Sequence, residues 1–231
     1  MSRLEELRAN LAQVEDRVLA AAEAAGRSRE DLTVVVVTKT YPASDVDLLV
    51  ELGVRDVGEN RHPEAGDKLA QLQRPAPRMH FLGGVQTNKA GAIARYADVV
   101  HSVDRAKLAR SLSRGAEAAG RELGVLVQVD VDGTDDGRSG AAPADVPVLA
   151  ELVAELPGLR LDGVMTVAPL GAPARPAFDE LVRLSHDLRR DHPDASVVSA
   201  GMSGDFEEAI AAGATHLRIG RSILGERPPL R

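Results

Sequence analysis

Two clusters of residues in this chain of 231 residues have types and spacings suited to chemistry on a small molecule. The first is Thr38-Lys39-Thr40, which closes the run Asp31 to Lys39 (DLTVVVVTK) immediately after four successive valines. An ammonium at the end of an apolar strand is poorly solvated, and desolvation favours the neutral amine, a nucleophile able to condense with a carbonyl. The same position also suits a lysine that opens a loop and reaches water along its methylene stem. The second cluster is a pair of glycine turns, Ser199-Ala200-Gly201-Met202-Ser203-Gly204-Asp205 and Arg218-Ile219-Gly220-Arg221-Ser222. Small residues at the start of a helix leave backbone N–H groups open to an anion, and the arginines and hydroxyls add donors, so this pair suits a phosphate. It also describes two ordinary turns with Ser203 as a helix cap.

Other polar groups give weaker signals. Glu59 and Asn60 follow a short strand and serve either a ligand or the start of the next helix. His80 to Lys89 (HFLGGVQTNK) permits close backbone approach, as does any strand-to-helix turn. The six histidines show no paired metal spacing, and the acidic loop Asp130, Asp132, Asp135, Asp136 lacks the closing Glu of a calcium loop. No GxGxxG, P-loop or GxSxG motif is present.

The elements that must position these groups follow from periodicity. Leu4, Leu7, Leu11, Val14, Val18 and Leu19 make a helical stripe over residues 2 to 25, ended by Gly26. Strand-like segments follow at Asp31 to Lys39, Asp56 to Asn60, Met79 to Val85, Val99 to Val103, Val125 to Val131, Leu161 to Val167, Ser196 to Ser199 and His216 to Ile219. Helical segments lie between them at Ser44 to Leu52, Pro63 to Leu72, Asn88 to Tyr96, Arg105 to Ala119, Ala144 to Leu156, Arg175 to Asp191 and Asp205 to Ala212. This alternation is that of a (β/α)8 TIM barrel over residues 1–231 as one domain, with an extra N-terminal helix covering the gap left by the absence of a final barrel helix. An open doubly wound sheet is the alternative. The turn-rich stretches Asp132 to Ala142 and Pro169 to Pro176 are too short to be interdomain linkers.

Composition narrows the chemistry. The chain is 44% hydrophobic and 27% charged, with 28 basic against 35 acidic residues and a net charge of −7, which argues against nonspecific nucleic-acid binding. Zero cysteine excludes disulfides, thiolate metal sites and thiol nucleophiles. No apolar run approaches the roughly 20 residues of a membrane span, and the charged N-terminus lacks a signal peptide's apolar core, so a cytoplasmic, membrane-free protein is expected.

In a barrel, ligands gather at the C-terminal ends of the strands, and the last strand neighbours the first. Lys39 and the two glycine turns are then close together, and a molecule with both an aldehyde and a phosphate satisfies both. Pyridoxal 5′-phosphate (PLP) is one such molecule; a Schiff-base aldolase acting on a sugar phosphate also fits.

The segments VVVVTKTYPASDVDLLVELGVRDVGEN, HFLGGVQTNK, GVMTVAP and SAGMSGDFEEAIAAGATHLRIGRSILG together resemble the pyridoxal phosphate homeostasis protein family over nearly the whole chain. Members look like the barrel domain of alanine racemase standing alone, a fold-type III PLP protein. The resemblance implies that Lys39 carries PLP as a Schiff base. It implies that Ser203, with the backbone near Gly204, Gly220, Arg221 and Ser222, holds the phosphate, that Arg218 faces the pyridine nitrogen, and that Asn60 and Met202 line the pocket. An arginine stays protonated and leaves the ring nitrogen unprotonated, which makes the ring a poorer electron sink. The racemase's catalytic tyrosine comes from a second domain, whereas this chain ends at Arg231 and has only Tyr41 and Tyr96. The family is regarded as a PLP carrier acting in vitamin B6 and amino-acid homeostasis, with apo PLP-dependent enzymes as possible recipients; a PLP-dependent racemase or lyase is the enzymatic alternative. Three departures from the family pattern stand out: Arg221 where Thr or Ser is usual, GGVQ for GPLQ, and Arg138 for a Lys.

Overall fold

The computed structural model describes residues 1–131, 133, 139–169 and 171–225. Arg138, most of the acidic loop and the final segment 226–231 lie outside the described residues. Eight parallel strands close into a barrel in chain order, β1-β2-β3-β4-β5-β6-β7-β8, which excludes the open sheet. They are β1 (Thr33–Val37), β2 (Asp56–Glu59), β3 (Arg78–Phe81), β4 (Val99–Val103), β5 (Leu123–Gln128), β6 (Leu159–Met165), β7 (Val197–Met202) and β8 (His216–Ile219). Closure is made by β1 on β8, with Thr33 opposite His216 and Val36 opposite Ile219.

The helices are α1 (Arg3–Ala24), α2 (Ala43–Glu51), α3 (Glu64–Leu69), α4 (Ala90–Ile93), α5 (Ala106–Ala119), α6 (Val146–Glu155), α7 (Arg175–Asp191), α8 (Phe206–Ala212) and α9 (Arg221–Leu224). Ser2 and Glu5 form a capping box that starts α1 by satisfying two orphan backbone donors. The stripe on α1 buries Leu7, Val14 and Val18, but Leu19 is 42% exposed, since it falls one position beyond the buried face. α1 packs against α8 and α9 and covers the outer ring beside β8. Only the single turn α9 follows β8, too short to cover the strand; the sequence reading gave no helix there.

Strand alternation divides the core in two. Val100 and Val103 of β4 join Leu108 and Leu112 of α5 in the layer between barrel and helices, while Val99 packs with Leu126 and Met165 in a separate cluster on the other face of the sheet. His101 lies on that inner face too, fully buried. Among the described residues, no helix is long and apolar enough to cross a membrane.

Candidate functional site

A cavity of about 740 Å³ opens among the C-terminal ends of β1, β2, β6, β7 and β8, a size suited to a small cofactor. Its lining includes Lys39, Asn60, Met202, Ser203, Gly204, Arg218, Gly220 and Arg221. Ser222, grouped with them on sequence, is half-buried on the first turn of α9 and is not part of the lining. Sequence reasoning missed Val37, Tyr41, Leu82, Met165, Val167 and Asp205 in the wall. Their signal was alternation, since each stands at or just past a strand end.

Lys39 is half-buried in a tight turn after β1. The next residue, Thr40, has φ +72, a left-handed conformation costly for a β-branched side chain. The turn is held by Glu64, whose carboxylate accepts from the Thr40 amide at 2.8 Å. Beneath it lies a buried polar group. Lys68 of α3 donates to the carbonyl of Thr38 at 2.8 Å and to Glu59 Oε1 at 2.5 Å, and the Thr38 hydroxyl donates to the same oxygen at 2.7 Å. Glu59 is 0% exposed, so it neither faces the cavity nor caps a helix. Burial raises the pKa of Glu59 above the ordinary value, and Lys68 offsets this only in part.

At the other side, β7 extends through Met202, three residues past the strand end expected from sequence. It continues because Gly201 takes φ +87 where a Cβ would lie 2.7 Å from that of Ala209, so α8 packs close against the strand end. The Asp205 carboxylate accepts from the Met202 amide at 2.5 Å and shapes the turn. The amides of Ser203, Gly204, Arg221 and Ser222 have no acceptor among the described residues. The exposed Arg221 makes no ion pair among them either.

Arg218 on β8 is 6% exposed and lines the cavity without a carboxylate in ion-pair contact among the described residues. It donates to Ser199 Oγ at 2.6 Å and to the carbonyl of Thr166 at 2.7 Å, which leaves donors unused. Burial lowers its pKa to about 10, with Asp205 working in the opposite direction. A buried cation of this kind is stabilised by an acceptor brought into the cavity.

Tyr41 is buried at the edge of the cavity, and its hydroxyl donates to the carbonyl of Gly225 at 2.8 Å. Tyr96 lies elsewhere, stacked on His62 at 6.0 Å, and burial raises its pKa. Sequence spacing also missed a histidine pair: His80 Nδ1 and His101 Nε2 lie 2.9 Å apart inside the barrel. No cluster of metal-ligating side chains occurs among the described residues.

An amine, a buried guanidinium and a set of unused amides around one cavity are complementary to an aldehyde, a ring acceptor and a phosphate. The residues present therefore fit PLP. Comparison with known proteins agrees in family. The model of the alanine racemase N-terminal domain matches residues 4–228. A protein of Pseudomonas aeruginosa named pyridoxal phosphate homeostasis protein is 41% identical over 218 residues, covering 94% of each chain. The protein of that name from Mycobacterium tuberculosis is 40% identical over 241 residues, covering 96% of this chain and 93% of its own. Among solved structures, PipY of Synechococcus elongatus with PLP bound superposes with a TM-score of 0.81 at 29% identity, covering 95% of this chain and 100% of its own.

Proposed function

The chain belongs to the alanine racemase N-terminal domain family and, within it, to the pyridoxal phosphate homeostasis proteins, and from that premise we propose that it binds PLP and serves in PLP homeostasis. The observation that carries this reading is the convergence on one cavity of Lys39, Arg218 and the turns at Ser203-Gly204 and Gly220-Arg221. Bound there, PLP supplies an aldehyde for reversible attachment and a conjugated ring able to withdraw electrons.

Lys39 holds the aldehyde as a Schiff base, and the turn between Thr38 and Thr40 orients its amine. The amides of Ser203, Gly204, Arg221 and Ser222, with the Ser203 hydroxyl and the Arg221 charge, take the phosphate. Asn60 and Met202 line the pocket beside them. Arg218 donates to the ring nitrogen and so keeps a proton off it, which favours storage over carbanion chemistry. The protein is therefore read as a cytoplasmic carrier that releases PLP to apo-enzymes and has no catalytic turnover of its own; the names of its relatives support that role. Borohydride reduction of the PLP-loaded protein followed by peptide mapping is expected to leave a phosphopyridoxyl group on Lys39. A label found mainly on another lysine, such as Lys89, overturns the assignment.

A further inference from the structure

A continuous line of hydrogen bonds runs from the cavity through the barrel interior to its opposite end. Arg218 donates to Ser199 Oγ at 2.6 Å, and Ser199 Oγ lies 3.0 Å from His101 Nδ1. His101 Nε2 lies 2.9 Å from His80 Nδ1, and His80 Nε2 lies 2.9 Å from Asp56 Oδ1. Ser199 and His101 are 0% exposed and His80 is 1% exposed, so water does not compete for these links. Four strands contribute: β8, β7, β4 and β3, with Asp56 at the start of β2.

The donors can be assigned from the ends inward. Burial works against the Asp56 carboxylate, but its hydrogen bond to His80 and the nearby positive charge prevail and hold its pKa below the ordinary value. An ionised Asp56 only accepts, so His80 Nε2 carries a proton. In a neutral ring its Nδ1 is then bare and accepts from His101 Nε2–H. His101 is neutral, because burial and the neighbouring His80 push its pKa well down, so its Nδ1 accepts from the Ser199 hydroxyl. Ser199 Oγ accepts in turn from Arg218. With neutral rings this is the one assignment that gives every link a donor and an acceptor, and every link points from Arg218 toward Asp56.

We propose that Ser199, His101, His80 and Asp56 are positioning residues of the cofactor site, a one-way hydrogen-bond relay that fixes the Arg218 guanidinium where it meets the ring nitrogen. The relay sets the orientation of a side chain that has no carboxylate in ion-pair contact among the described residues to do so. Fixed from behind by Ser199 and the Thr166 carbonyl, Arg218 offers its remaining N–H groups to the cavity. The inference rests on the PLP reading for its ligand, whereas the direction of the relay is independent of any ligand.

Two measurements test it separately. In the first, 15N NMR of histidine-labelled protein without PLP is expected to show His80 and His101 both as the Nε2–H tautomer; an Nδ1–H tautomer at His101 overturns the direction of the relay. In the second, binding of PLP and of its 1-deaza analogue, which lacks the ring nitrogen, is compared across variants by fluorescence. Ser199→Ala adds no volume and removes the link, so PLP binding is expected to weaken about tenfold or more, as for loss of a hydrogen bond to a charged group. The 1-deaza analogue is expected to bind Ser199→Ala and the unaltered chain equally. His101→Phe is expected to weaken PLP binding in the same selective way, with His101→Gln, which restores an acceptor, recovering most of it. Unchanged PLP binding in Ser199→Ala, or equal losses for both ligands, overturns the positioning role. Absence of PLP binding by the unaltered chain overturns the functional reading instead and leaves the tautomer result standing.

Discussion

Replacing Lys68 by methionine tests what holds the Lys39 turn in place. Lys68 is 6% exposed, and its removal leaves Glu59, 0% exposed, with the Thr38 hydroxyl as its one remaining donor. Glu59 Oε2 already lacks a partner. Breaking a buried pair from one side typically costs about 3–5 kcal/mol. Glu59 has an escape, since it can take up a proton; from an ordinary glutamate pKa that costs roughly 3–4 kcal/mol at pH 7 and about 1.4 kcal/mol less per pH unit below. The lower of the two costs governs, so the expected loss is about 3–4 kcal/mol at pH 7 and under about 2 kcal/mol at pH 5.5. The sign follows from linkage. A folded-state Glu59 pKa above the unfolded value means that the folded state binds more protons in the window between them, so stability falls as pH rises through that window. Without Lys68 the folded pKa rises further and the window widens. Urea unfolding followed by circular dichroism at pH 5.5, 7 and 8 gives these values directly. Glu59→Gln combined with Lys68→Met removes the charge and is expected to recover most of the loss at pH 7, with little dependence on pH. A deficit flat across the three pH values, or below about 1 kcal/mol at pH 8, refutes the reasoning.

Three further outcomes follow from the site. Pyridoxal, which lacks the phosphate, is expected to bind at least about a hundredfold more weakly than PLP if the four unused amides hold that group; equal dissociation constants by fluorescence titration make the two turns purely structural. Gly83→Ala is expected to weaken PLP binding, because its Cβ would lie 2.0 Å from the Asn60 carbonyl and must displace a pocket residue, whereas Gly84 has open space and Gly84→Ala is expected to leave both binding and melting temperature nearly unchanged. Racemisation of alanine and other amino acids, followed by chiral chromatography against a Lys39→Ala background, is expected to stay well below about 1 s⁻¹, the low end of ordinary turnover. A Lys39-dependent rate above that value favours a racemase over a carrier.

Barrel and pocket were legible to different depths. The four valines before Lys39 and the regular return of strand-like segments mark a parallel barrel, because burial on both faces leaves few residue types for such strands. Chain order then brings β8 against β1 and hence Arg218 near Lys39, so local patterns become a site through topology alone. Strand ends were less legible: β7 runs to Met202 only because Gly201 tolerates φ +87 against Ala209, a tertiary contact with no local signature. Glu59 illustrates the limit for side chains. Its partner Lys68 is nine residues away on α3, a spacing with no meaning until β2 and α3 are folded against each other. The His80–His101 link spans 21 residues between adjacent strands and was equally invisible.

The two buried polar groups stand behind opposite sides of the cavity, and their placement explains why they persist in an interior that would be simpler if apolar. Thr38, Glu59 and Lys68 lie under the turn that presents the Lys39 amine; Ser199, His101, His80 and Asp56 lie behind the Arg218 guanidinium. Apolar packing at either place could match or exceed the stability of the polar contacts, since a buried ion pair is at best weakly stabilising. It could not fix direction, however. Close packing is tolerant of small rotations, whereas a hydrogen bond to a buried partner weakens steeply once its angle is lost. A site that attaches a small molecule covalently at one side and reads a ring atom at the other needs both donors aimed, and the barrel interior supplies a separate polar anchor for each.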